Sequence, residues 1–183
     1  MGALRMDYCW IATRKIESQK VYGALSLSET LERDDAMTAA YCAVELPSGV
    51  FVVQTSQEDE NFMDTETVEA LSEGGEAFLC MVSEESMMTI LMYCRDGEAL
   101  WLISHDGEQG PDHLDVEGDM PEIFSELRQD LQDRASKDEE PVEYFTLPVD
   151  LGLALTGYQG YGDVPGIVPG SVRVLALQPT LAD

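Results

Sequence analysis

Basic residues are scarce in this chain, and across one third of it they are missing altogether. Thirty-six acids stand against ten lysines and arginines, a formal charge of −26. From Asp34 to Cys94 there is no lysine, arginine or histidine, yet thirteen acids fall in that interval. Such a field repels nucleic acid and anionic membrane, and it attracts cations or a basic partner. It also exceeds what solubility requires. No apolar run approaches the roughly 20 residues needed to span a bilayer, which excludes a membrane helix. The start MGALRMDYCWIATRK is too polar for a secretory signal, and Met6 stands where a myristoylation motif needs Ser or Thr. A cytoplasmic location is therefore expected.

Catalytic signatures are missing as well. There is no GxSxG, no P-loop, and no GxGxxG with an acid at the right distance. A non-catalytic role without a cofactor is the expectation. The four cysteines, Cys9, Cys42, Cys80 and Cys94, never take CxxC spacing, and each lies in an apolar run. They read as reduced, buried thiols with raised pKa values, so a Cys–His pair of Cys80 or Cys94 with His105 is disfavoured. A disulfide between neighbouring strands does not suit the expected compartment.

What is present begins with the stretch Phe78 to Gly107. Three apolar runs, FLCMV, MMTILMYC and ALWLIS, are separated by SEES and RDGE. Runs this short between turn residues predict consecutive antiparallel strands, with Asp96-Gly97 in a tight hairpin. The middle run is apolar at nearly every position, which predicts a central strand covered on both faces.

Around it, MDYCWIAT at 6–13 predicts a strand and Ser18–Leu25 a short helix. SETLERDDA reads as a polar loop. Met37–Leu46 and Val50–Thr55 flank the turn Pro47-Ser48-Gly49. QEDENFMDTET reads as an acidic loop leading to a helix from Glu66 to Ser72, capped by Thr65 and ended by Gly74-Gly75. HLDVE predicts an edge strand, and Asp119 caps a helix running to about Arg134. SKDEEP is a linker, Val142–Leu147 a strand, and Pro148 opens a short helix. The span 157–170 is rich in glycine and proline and reads as irregular, before a last strand in SVRVLAL. DYCWIATRKIESQKVYGAL and EYFTLPVDLGLAL share a weak strand–turn–helix echo. The whole of 1–183 is expected to form one α+β domain. Its sheet is mostly antiparallel, with about six to eight strands and three or four short helices.

Two groups of residues carry possible chemistry. His105 and His113, with Asp106, Asp112, Asp115 and Glu117, form the densest set of possible metal ligands, although their spacing matches no known zinc or EF-hand pattern. They support the alternative of a metal-dependent or small-molecule-binding protein; no metal ligand is assigned. The second group is acidic and aromatic. Glu58, Asp59, Glu60 and Asp64 surround Phe62, while Tyr158 and Tyr161 lie among glycines. An aromatic ring inside a charged rim is the pattern of an interface anchor, since the ring supplies buried area and charge steers the encounter. These seven residues are the expected partner-binding set.

CWIAT followed by VYGAL, then LPSGVFVV, LWLISHDG and LPVDLGLALTGY, occur in this order across most of the chain. In these segments it resembles a set of small, uncharacterised bacterial single-domain proteins. The resemblance implies one domain and no site residue. The expected function is that of an acidic, non-catalytic protein that binds and neutralises a basic partner. An immunity or antitoxin-like protein for a secreted bacterial toxin such as a nuclease is the favoured form.

Overall fold

Seven residues, YCWIATR, make up Tyr8–Arg14 (β1), and all but the last are buried. A strand of this kind needs neighbours on both edges and cover on both faces. In the computed structural model, which describes residues 8–57, 59–160 and 164–179, β1 is the fifth strand of a nine-stranded sheet. The other strands are β2 (Leu27–Arg33), β3 (Tyr41–Glu45), β4 (Phe51–Thr55), β5 (Glu76–Ser83), β6 (Met88–Arg95), β7 (Glu98–Asp106), β8 (Asp115–Gly118) and β9 (Arg173–Leu177). Their order is β2-β9-β3-β4-β1-β5-β6-β7-β8, and every pairing is antiparallel. The fold is α+β, with nine strands rather than six to eight.

Side chains along β1 alternate between two cores. Tyr8, Trp10 and Ala12 enter one, beneath α4 (Glu122–Asp138) and α5 (Leu147–Thr156). Cys9 and Ile11 enter the other, beneath α1 (Ser18–Ala24), the single-turn α2 (Glu60–Met63) and α3 (Thr65–Leu71). Backbone approaches closely on the first side. A Cβ on Gly152 of α5 would lie 3.0 Å from the Trp10 ring.

Several expectations are corrected. SETLERDDA contains β2 rather than a loop. Only Leu27 of this strand is buried, so it carries no alternation and is held by pairing with β9, about 146 positions away by the Glu29–Leu175 register. Its outer edge is blunted by Arg33, whose guanidinium donates to the Thr30 and Glu32 carbonyls at 3.2 and 2.8 Å. QEDENFMDTET contains α2, because Phe62 has a core site to fill. The cap of α3 is Asp64, not Thr65. Its carboxylate accepts from the Thr67 N–H at 3.1 Å. The long helix α4 starts after Pro121, with no side-chain cap from Asp119, and runs into the first half of the expected linker, ending at Asp138. Val142–Leu147 is not a strand. Tyr144 and Leu147 are buried while the Tyr144 N–H bonds Pro111 O at 2.9 Å, and Leu147 already belongs to α5. The strand–turn–helix echo therefore fails in its second half.

Candidate functional site: a half-open sheet face

The cover on β6 is unequal, contrary to the expectation for the middle apolar run. Thr89 and Leu91 face α4 and α5 and are fully buried. On the opposite face the cover fades along the strand. Cys94 and Met92 are buried, Ile90 is half-buried, and Met88 is 38% exposed. Strand β7 repeats this asymmetry: Trp101, Ile103 and His105 are buried, while Leu102, Ser104 and Asp106 between them are half-buried. The helices α1, α2 and α3 cover β4, β1 and β5; α3 also reaches the Met92–Cys94 end of β6, and the Met88 end is left bare.

Two hollows occupy the uncovered strip. One, of about 460 Å³, is lined by Cys9, Gln57, Met63, Met81, Ser83 and Met88 among others. The second, about 350 Å³, lies against α3 and is lined by Thr65, Glu69, Met92, Leu100, Leu102 and Glu117 among others. Met63, which is 40% exposed, projects from α2 to the first hollow. Exposed carboxylates belong to the same elements: Glu60 at the start of α2, Asp64 at its end, and Glu84 and Glu85 in the β5–β6 turn. The arrangement is an apolar, methionine-lined floor with acids around it.

The expected partner-binding residues divide on this geometry. Glu58 and Tyr161 lie outside the described residues. Glu60 and Asp64 are exposed and stand beside Met63. Asp64 is held below the ordinary carboxylate range, first by the Thr67 hydroxyl and then by backbone N–H groups. Asp59 accepts from the Tyr41 hydroxyl at 2.8 Å. Phe62 and Tyr158 are not surface anchors, which corrects the sequence reading. Phe62 is fully buried beside Tyr41, with ring centroids 6.1 Å apart. Tyr158 is buried edge-on against Trp10 and donates to Gln54 Oε1 at 2.5 Å. A partner reaches neither ring without opening the core. The methionines were the missed residues. Six of the nine fall within the base-free interval, Met37 on the other face and then Met63, Met81, Met87, Met88 and Met92, and the clustering of these last five is the signal that would have found them.

The histidines serve the loop between β7 and β8. His105 Nδ1 donates to the His113 carbonyl at 2.9 Å, and the Asp106 N–H donates to His113 Nδ1 at 3.0 Å. That acceptor role leaves the His113 ring proton on Nε2, 3.3 Å from the Asp115 carboxylate. Each Nδ1 thus already has a backbone partner, and no cluster of three or more potential metal ligands occurs among the described residues. All four cysteines are free and buried. Burial pushes Cys42 up to about 11 and Cys94 up to about 12, with Cys9 and Cys80 raised as well. Cys94 lies on the opposite sheet face from His105, which packs edge-on against Phe145 at 6.0 Å. No thiol–imidazole pair forms there.

No helix among the described residues is long and apolar enough to cross a membrane. No family model matches the chain, and neither a curated protein nor a solved structure matches it significantly.

Proposed function

We propose that this chain is a non-catalytic acidic binding protein that engages and neutralises a basic protein partner. The favoured partner class is a secreted bacterial toxin with a basic active cleft, such as a nuclease, and the chain would then be its immunity or antitoxin-like counterpart in the cytoplasm. The observation that carries this reading is the base-free interval 34–94 with its thirteen acids. It supplies α2, α3 and the β5–β6 turn, so these elements carry carboxylates and no basic residue of their own. Strong opposite charge raises association rates by 10–10³-fold or more, which suits a protein that must capture a toxic partner before it acts.

The test is capture at low salt on immobilised protein, elution by rising salt, and reconstitution of whatever elutes. The expected result is one basic protein, bound in a fixed ratio and inhibited by the purified chain. A smear of unrelated basic proteins released at low salt would overturn the reading. Reversing Glu58, Asp59 and Glu60 to lysine should then slow association at low salt; an unchanged on-rate removes that segment from the interface.

A further inference from the structure

We infer that the uncovered half of the sheet, between α2–α3 and the face of β6–β7, is a docking groove for a basic amphipathic segment of the partner. Apolar side chains of that segment enter over Met81, Met88 and Ile90, while its lysines or arginines meet the surrounding carboxylates. This inference rests on the basic-partner reading and gives it a site.

Three observations converge. The floor is apolar and adaptable, because unbranched methionines at positions 63, 81 and 88 repack around an incoming chain. It is also sheet face of the kind that another layer covers elsewhere in this molecule. The rim then selects among occupants. Glu60, Asp64, Glu84 and Glu85 lie in an interval without a base, and Glu69 and Glu117 line the second hollow. A second copy of a chain with a charge of −26 would bring like charges together. A plain polycation would leave the methionines uncovered. Only a segment with both properties satisfies floor and rim. Met88 to Met92 spans about 13 Å along the strand, which two to three helical turns match.

The test uses the full chain with methionine methyl groups labelled with carbon-13, and two lysine–leucine peptides about four turns long. One places its leucines on a single helical face; the other has the same composition, scrambled. The amphipathic peptide should bind at least about tenfold more tightly near physiological salt. It should shift the methyl signals of Met63, Met81 and Met88, and leave those of Met37 and Met120, on the other face, in place. Met63→Lys with Met88→Lys should lose that about tenfold preference. Met63→Leu with Met88→Leu should keep it, which guards against a misfolded lysine variant. Equal binding of both peptides with still methyl signals overturns the groove and leaves the basic-partner reading standing. No binding of either peptide at low salt overturns the basic-partner reading itself. Methyl shifts that follow protein concentration without peptide make a second copy the occupant and also overturn the proposal.

Discussion

The two faces of the sheet solve the same problem to different extents. On one, α4 and α5 with the segment around Tyr144 close over β1, β5, β6 and β7, and residues from Trp10 to Ile103 are buried. On the other, short helices close over β4, β1 and β5, and exposure grows from Met92 to Ile90 to Met88. The closed face is aromatic and tightly fitted, with Trp10 against Tyr158 and Gly152. The open strip is lined by methionine and serine, residues that tolerate a changing neighbour. Packing precision therefore lies where stability is made, and adaptable side chains lie where a surface is left for something else.

Breaking the closed layers should have the largest effect. Trp10→Ala is expected to cost about 3–5 kcal/mol in urea unfolding, from lost burial plus a cavity. Phe62→Ala should cost a similar amount, about 3–5 kcal/mol, because its ring is core; a stable variant with weakened partner binding would return Phe62 to the interface. Gly152→Val should overpack the Trp10 contact and cost about 1–3 kcal/mol.

A smaller effect is expected on the other face of the sheet, at the end away from Met88. Glu76 accepts from Tyr93 at 3.0 Å and from Arg95 and Arg14 at 2.5 and 3.3 Å. Burial is the largest single influence on its carboxyl and pushes the pKa up. The combined hydrogen bonds from Arg95, Tyr93 and Arg14 outweigh it and leave the group below its ordinary value. Its folded pKa is depressed, so its contribution is present above the ordinary carboxylate range and is lost as pH falls through the folded value. Glu76→Gln should cost about 1 kcal/mol near neutral pH, discounted because both arginines are more than a third exposed. The difference from wild type should shrink on acidification, as read from unfolding midpoints between neutral and acid pH. Met63→Ser and Met88→Ser should change stability least, by about 0.5 kcal/mol or less. A large loss at either position would mean that the strip is already filled by the chain itself.

Legibility in the sequence followed contact range. The β5–β6–β7 meander, the β3–β4 hairpin and helix α5 were readable because their periodicity and turns, such as Asp96-Gly97, are local. Strand β2 was not readable, since its pairing with β9 is long-range and its side chains face solvent. Val142–Leu147 misled for the converse reason, as its apolar residues fill core sites without extended pairing. At the candidate site, the acids Asp59, Glu60 and Asp64 were singled out by charge, but Phe62 and Tyr158 were taken for anchors. An aromatic residue among carboxylates or glycines looks the same in one dimension whether it points in or out. The methionines passed unnoticed because a buried and a half-covered apolar run have the same composition.

Composition and local pattern by themselves determined the class of fold, the antiparallel meander, the buried thiols and the sign of the field, since each depends on residue type and near neighbours. Tertiary structure alone decided which face of β6 is covered. That outcome depends on how far α1, α2 and α3 reach across a nine-stranded sheet, a distance set by strand order and helix length rather than by any residue in the strand itself.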